Sequence, residues 1–211
     1  MLDLLRCINS HEDTWLVASL RAMSSRFVLD GKLGCPVCHA EYAIKAGVAD
    51  FRQAGESVLQ LPEHVPLSFS REELATRMGA FLNATEPGAT LVLGGSWAEA
   101  AQEVSVMTES RVLALNAGSA VEESETVGLL RVSREMPLAA GSALGVAIDE
   151  TFPPEILASV IKVVRPGGRI VGPASMVPPA DLTVLARDER HWVAEKAVEM
   201  IPLHRAAART T

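Results

Sequence analysis

Residues 153–173, PPEILASVIKVVRPGGRIVGP, decide the fold class of this 211-residue chain. The paired prolines favour the start of a helix, since proline is tolerated in the first helical turn. The run ILASVIKVV continues that helix, RPGG predicts a turn, and RIVGP predicts an apolar strand. A helix that leads through a tight turn into a buried strand is the repeating unit of an α/β fold.

Four short apolar runs upstream of this unit predict further strands. Unbroken runs of this length are typical of strands buried on both faces. They are ATLVLGG (89–95), RVLALNAG (111–118), VGLLRV (127–132) and ALGVAID (143–149).

Helical segments and a terminal hairpin complete the predicted order. Ser70 and Glu73 form a capping box that opens a helix over residues 71–84, and AEAAQEVSVM (98–107) predicts a second helix. This alternation predicts an α/β fold with a doubly wound, mostly parallel sheet and helices on both faces. Segments 181–187 and 191–197 predict a C-terminal antiparallel hairpin.

The N-terminal part carries a different signal, Cys35-Pro-Val-Cys38-His39. Haem attachment by this motif normally belongs to exported proteins, and the N-terminal segment does not have the pattern of a signal peptide. A redox dithiol normally precedes a helix, whereas residues 41–45 alternate like a strand and end at a glycine turn. The third interpretation, half of a zinc site, requires two further ligands.

Two candidates for these ligands, Cys7 and His11, stand upstream and are four residues apart. Residues 14–21 and 26–33 predict a β-hairpin around a Ser24-Ser25 turn, so that two metal-binding turns can meet at its end. Asp13 or His39 remains an alternative fourth ligand, and Cys7 as a plain buried residue is the structural alternative. The predicted structural zinc ligands are Cys7, His11, Cys35 and Cys38.

Charge and composition divide the chain. Residues 1–54 contain six basic and six acidic residues, so the remainder carries the whole net charge of −7. We therefore predict a zinc-ribbon-like domain over 1–54, a linker over 55–69 and an α/β domain over 70–211.

The acidic balance makes nucleic acid an unfavourable partner. We expect the partner to be another protein or a second copy of the chain. We also expect the chain to be cytoplasmic and not to bind membranes.

Two resemblances follow from these motifs. The pattern LLRC…LGCPVCHAEYAIKAGVADF over residues 1 to about 52 resembles the small zinc-ribbon proteins that activate translation-related methyltransferases. The position of the second cysteine in that family's pattern is occupied here by Ser10, and we therefore expect His11 to be the fourth ligand. ILASVIKVVRPGGRIVG, with the order of elements over about 70–200, resembles class I S-adenosylmethionine-dependent methyltransferases.

The second resemblance implies a cofactor site whose usual residues are only partly present. The family's D-x-G-x-G-x-G loop reads Val92-Leu93-Gly94-Gly95-Ser96-Trp97-Ala98, and the acid that usually ends the second strand is replaced by Asn116. The residues expected at this cofactor edge are Gly94, Gly95, Ser96, Asn116 and Asp149.

Two functions therefore compete, and no catalytic residue is predicted. The losses favour a non-catalytic methyltransferase-like protein that acts as a binding or activating partner, because site geometry rather than fold carries function. The alternative is an active S-adenosylmethionine-dependent methyltransferase with an unusual loop. A dinucleotide-binding turn is the weakest alternative, since G-x-G-x-x-G is not satisfied.

Overall fold

A computed structural model describes residues 2–25, 27–52 and 69–198. Within these ranges the chain forms eleven strands and three α-helices. The strands are β1 (Val17–Ser24), β2 (Phe27–Gly34), β3 (Glu41–Lys45), β4 (Val48–Asp50), β5 (Thr90–Gly94), β6 (Arg111–Leu115), β7 (Val127–Arg131), β8 (Ala143–Ala147), β9 (Val164–Pro173), β10 (Leu182–Arg187) and β11 (His191–Lys196). The helices are α1 (Arg71–Phe81), α2 (Ala101–Thr108) and α3 (Ile156–Val163).

All the strands belong to one sheet in the order β1-β2-β3-β4-β7-β6-β5-β8-β9-β11-β10. Strands β7, β6, β5, β8 and β9 run parallel, and β11 and β10 add an antiparallel hairpin at one end. The predicted α/β class, with a mostly parallel sheet and a C-terminal antiparallel hairpin, is confirmed. Each parallel strand has an apolar sequence because both of its faces are covered.

The period-two alternation of side chains divides the interior between two cores. On β5, Leu91 and Leu93 pack with the apolar faces of α1 and α2. Val92, which points the other way, packs with Ile156 and Val160 of α3. The helices therefore cover both faces of the sheet, as the alternation predicted.

The N-terminal strands extend this same sheet. Strands β1 to β4 form an antiparallel meander, and β4 pairs in parallel with β7 through Val48 and Leu129. A short 3-10 helix at Leu2–Leu4 precedes Leu5, which bridges to Leu138 ahead of β8. The predicted hairpin therefore corresponds to β1 and β2. Most of the predicted linker lies outside the described residues, and the division into domains stays a prediction.

A local signal fixes the start of the first helix. Ser70 caps α1 by accepting a hydrogen bond from the backbone N–H of Glu73 at 3.2 Å, as the capping box predicted.

Among the described residues, no helix is both long enough and apolar enough to cross a bilayer.

Candidate functional site

Two turns bring the four predicted metal ligands together. Cys7 and His11 lie in the turn that follows the first 3-10 helix, and Cys35 and Cys38 lie in the turn between β2 and β3. The three sulfurs and one ring nitrogen of these residues all lie within 4.8 Å of one another. Side chains separated by up to 31 positions therefore converge on one point, as the sequence predicted.

Two of the distances between ligand atoms are those expected around a tetrahedral zinc ion. Cys7 Sγ lies 3.6 Å from Cys38 Sγ, and Cys35 Sγ lies 3.4 Å from His11 Nε2. Zinc bound to sulfur and nitrogen at ordinary bond lengths places two sulfurs about 3.8 Å apart and a sulfur and a nitrogen about 3.5 Å apart. Both separations in the chain are close to these values, so the cluster has about the size that a zinc ion needs.

Neighbouring groups orient the ligands. His11 Nδ1 lies 2.7 Å from the carbonyl oxygen of Glu12, which can only accept, so Nδ1 carries the proton and Nε2 is free to bind a metal. Asn9 donates from Nδ2 to Cys38 Sγ at 3.3 Å, and the Tyr42 hydroxyl lies 3.2 Å from Cys7 Sγ. The sequence analysis did not identify Asn9 as part of the site, although it stands between two of the predicted ligands. Tyr42 was recognised only as a position of the zinc-ribbon pattern.

The surroundings of the ligands shift their pKa values in different directions. Hydrogen bonding from the backbone of Ala40 lowers the pKa of Cys38 to about 6, whereas burial raises the pKa of Cys7. The hydrogen bond to Glu12 raises the pKa of His11. Three thiols that share one small space repel one another once ionised, and a divalent cation removes that repulsion.

The other candidate ligands point elsewhere. Asp13 forms an ion pair with Lys162 of α3 at 2.8 Å. His39 is exposed, has a left-handed backbone and does not belong to the ligand cluster. The geometry therefore favours the Cys7, His11, Cys35 and Cys38 set over the alternatives.

The turn that carries Cys7 is anchored to the main sheet by its backbone. Arg6 donates its N–H to the carbonyl of Pro137 at 2.9 Å, and Ala139 donates to the carbonyl of Leu4 at 3.0 Å. The Arg6 guanidinium lies over the Trp15 ring, 3.0 Å from its centre. Any metal held by this cluster therefore connects β2 and β3 to the segment before β8.

The predicted cofactor edge lies at the carboxyl ends of β5, β6 and β8. Three of its residues meet there, because Asp149 accepts a hydrogen bond from the backbone N–H of Ser96 at 2.6 Å, and Gly95 directly precedes Ser96. Gly95 has a φ of +66°, and a Cβ added at this position would overlap the Asp149 carboxylate. Thr151 donates to the same carboxylate through its backbone N–H at 3.0 Å and also through its hydroxyl.

The other two residues of the predicted edge, Gly94 and Asn116, also contact other parts of the chain. A Cβ on Gly94 would overlap the ring of Phe152, so a protein side chain takes up the space that the glycine leaves open. The Asn116 side chain donates to the Val132 carbonyl at 2.9 Å and accepts from the Val132 N–H at 3.0 Å. Its amide therefore joins the end of β6 to the end of β7.

Three further side chains, Trp97, His191 and Glu99, complete this edge, and of these the sequence analysis placed only Trp97 in the cofactor loop. The Trp97 ring lies 4.8 Å from the His191 ring and donates through Nε1 to the Ile148 carbonyl. Burial lowers the pKa of His191, which favours the neutral ring. Glu99 accepts from the backbone N–H of Gly118 at 2.9 Å. Trp97 in a normally small loop was the signal in the sequence that this loop is filled.

Comparison with known proteins gives similarity of fold only. No family model and no curated protein matches the chain. Among solved structures, it is similar to geranyl diphosphate C-methyltransferase from Streptomyces coelicolor, with 15% identity, 56% of this chain and 51% of that chain covered, and a TM-score of 0.39.

Two further solved structures resemble it to a similar degree. A protein described as an S-adenosyl-L-methionine-dependent methyltransferase from Methanococcus maripaludis gives 10% identity over 69% of this chain and 90% of that chain, with a TM-score of 0.46. One described as a sarcosine dimethylglycine methyltransferase from Galdieria sulphuraria gives 15% identity over 48% and 45%, with a TM-score of 0.39. The chain spans less than half the length of this last structure.

Proposed function

We propose that this protein is a non-catalytic, methyltransferase-like protein with a structural zinc site, acting as a binding or activating partner of another protein. One observation carries the proposal. The Asp149 carboxylate fills the space over Gly95 and accepts the Ser96 N–H, so the glycine turn holds a protein side chain where a cofactor would need room.

The methyltransferase-like part of the proposal is based on strand order and sequence motifs. The parallel strands follow the order β7-β6-β5-β8-β9, with the antiparallel β11 and β10 beyond them. This is the doubly wound arrangement in which ligands bind at the carboxyl ends of the strands. At those ends Gly94, Gly95 and Asn116 all contact other parts of the chain.

The zinc ion has a structural role in this proposal. Four protein ligands complete a tetrahedron, which leaves no open position for a reacting water. Zinc bound there would join the turn after the first 3-10 helix to the turn between β2 and β3. The consequence is a fixed arrangement of β1 and β2 relative to the rest of the sheet.

The outer strand β1 supports a role in binding. All eight of its residues are exposed, and Val17, Leu20 and Met23 expose 63%, 41% and 52% of their surface. Trp15, just before this strand, is 59% exposed. Exposed apolar side chains gathered on one element are typical of a surface that another protein covers.

An active methyltransferase is the second candidate, and one observation favours it. Gly95 keeps a left-handed backbone at the end of β5, where a close approach of a ligand to the main chain is needed. In that case Asp149 would have to leave its place over the turn when the cofactor binds.

Calorimetric titration separates the two candidates. S-adenosylmethionine and S-adenosylhomocysteine are titrated into zinc-loaded protein, with a cofactor-binding methyltransferase as the positive control. We expect no heat and no thermal shift at millimolar ligand. Micromolar binding by the unmodified chain would establish the active alternative, and Asp149→Ala would then show whether this carboxylate limits affinity.

The zinc site has its own experiment. Mass spectrometry of the purified protein should find one zinc per chain, and Cys35→Ser should lose it. His39→Ala is the matched control, because His39 directly follows Cys38 but lies outside the cluster. Retention of zinc by Cys35→Ser, or its loss from His39→Ala alone, would contradict the assigned ligands.

A further inference from the structure

The two outer strands of the sheet, β1 and β10, differ in charge. Asp181 directly precedes β10, Arg187 ends it, and the turn that follows is Asp188-Glu189-Arg190. Over residues 14–24, which include β1, Arg21 is the single charged residue. Charged residues on an outer strand discourage pairing with another chain, so β10 is protected in a way that β1 is not.

One side of β1 is open to another strand. Among the residues that the structure describes, β2 is the one strand that pairs with β1, which stands at the end of the sheet. All eight residues of β1 are exposed. The backbone N–H and C=O groups along the open side of such a strand can pair with a strand from another chain.

The irregular pairing within β1 leaves its register unchanged. Residues 17–20 pair with residues 34–31 of β2, and residues 23–24 pair with residues 28–27, which continues the same register. The shift between them, where Ala22 lies opposite Asp30, is therefore local. The alternation of side chains is the same before and after it, so a second strand can follow β1 along its length.

The sequence of β1 is complementary to itself. Outward from Leu20 in both directions, VASLRAM gives first serine and arginine, then two alanines, then valine and methionine. An antiparallel pair of β1 strands centred on Leu20 therefore places Val17 opposite Met23 and Ser19 opposite Arg21. Each Arg21 thus faces a serine and not the other arginine. A twofold interface needs this property, because every contact between two positions occurs twice with the roles exchanged.

From these observations we propose that β1 pairs with β1 of a second copy of the chain, antiparallel and centred on Leu20, so that two sheets become one. This inference rests on the binding role proposed above for β1 and names a second copy as the protein that covers it. Apolar residues directly opposite each other stabilise an antiparallel pair, and here the exposed Val17 and Met23 cover each other. Because the pairing uses the open side of β1 in both copies, the assembly closes at two chains.

Sedimentation velocity of the full, zinc-loaded chain measures the assembly, from micromolar to submillimolar protein and without S-adenosylmethionine. We expect a reversible equilibrium between monomer and dimer. A chain that stays monomeric over this range would overturn the proposal, and growth into larger species would overturn the closed twofold pairing.

Charge variants at Leu20 test which strand pairs and in which register. Leu20→Lys places two like charges opposite each other at the twofold axis and should weaken dimerisation by about tenfold or more. Leu20→Glu should do the same, whereas an equal mixture of the two variants should dimerise again, because a lysine then faces a glutamate. Val184→Lys on β10 is the matched control and should leave the dimer unchanged, since Val184 is 46% exposed and Leu20 41%.

Recovery of the dimer by the mixture is the decisive result, because it requires the same position of both copies to meet. Dimerisation that survives Leu20→Lys, or equal weakening by Val184→Lys, would overturn the assignment to β1. A mixture that stays monomeric would overturn the register centred on Leu20. If Leu20→Lys does not fold, Leu20→Glu and the unmodified chain decide the question.

The outcome is independent of the test of the proposed function. Micromolar binding of S-adenosylmethionine by a dimeric chain would overturn the non-catalytic function and leave the dimer standing. A monomeric chain that binds no S-adenosylmethionine would overturn the dimer alone, and β1 would then be a surface for a different protein.

Discussion

Replacing Asn116 by aspartate distinguishes a structural amide from a weakened ribose ligand. The methyltransferase pattern has an acid at the end of the second parallel strand, so Asn116→Asp restores the usual residue. An active enzyme should therefore tolerate the substitution or bind the cofactor more tightly. In the structure, however, the buried Asn116 amide both donates to and accepts from the main chain of Val132. A carboxylate can make only the second of these bonds.

The size of the effect follows from the bond that is lost. Asn116→Asp places an oxygen where Nδ2 now lies, 2.9 Å from the Val132 carbonyl oxygen. An unsatisfied buried carbonyl costs about 1–3 kcal/mol, and repulsion between the two oxygens adds to it. We expect a loss of about 2 kcal/mol or more at pH 7.5, which for a chain of this length lowers the melting temperature by roughly 4–8 °C.

The assay is urea unfolding at two pH values, followed by titration of S-adenosylmethionine. The loss should be smaller at pH 4.5, because a protonated carboxyl can donate to the Val132 oxygen as the amide does. Asn83→Asp is the matched control, since Asn83 has the same left-handed backbone (φ 50° against 53°) but is exposed. An Asn116→Asp variant as stable as the control, or one that gains cofactor affinity, would refute the structural role.

Three further predictions concern metal, packing and pH. Removing zinc with a chelator should lower the melting temperature by roughly 4–8 °C, equivalent to about 2 kcal/mol, and have no effect on Cys35→Ser, as differential scanning fluorimetry would show. Gly172→Ala should cost about 1–3 kcal/mol in urea unfolding, because its Cβ would overlap the fully buried Trp192 indole, and Trp192→Phe should reduce that cost in a double-mutant cycle. Hydrogen bonds from Arg52 lower the pKa of Asp50, so the carboxylate stabilises the fold above its unfolded pKa and ceases to do so as pH falls through the folded pKa. Asp50→Asn should therefore destabilise by less than about 1 kcal/mol at pH 7 and have no effect near pH 2, and an equal effect at both pH values would contradict this origin.

The parts of the fold that depend on local sequence could be predicted. The apolar runs at 89–95 and 111–118 became buried strands because both faces of a parallel sheet exclude water. The clustering of Cys7, His11, Cys35 and Cys38 could be predicted because the spacings Cys7-x3-His11 and Cys35-x2-Cys38 are typical of residues that bind one ion. Whether the cluster binds zinc stays a prediction. Each of these signals lies within a few residues of chain.

The remaining features depend on contacts between distant segments. Nothing in the sequence of β4 indicates that it pairs with β7, whose first residue lies 79 positions after Val48. The use of the Asn116 amide by Val132, and the placement of Asp149 over Gly95, also depend on which strands become neighbours. Sequence reasoning identified Asn116 as an exception to a pattern and Asp149 as a residue of the cofactor edge, but only the fold shows what occupies their hydrogen-bonding groups.

The pairing of β4 with β7 bears on how this chain can be divided. Without β4, the backbone N–H and C=O groups along one side of β7 would face water, and Leu130 would lose its neighbour Ala49. Bare strand edges of this kind recruit other chains and lead to aggregation. A fragment that begins at residue 70 would therefore be prone to self-association even if its own core formed. The N-terminal strands cover this edge of the parallel sheet and move the outermost edge to β1, whatever the cofactor edge binds.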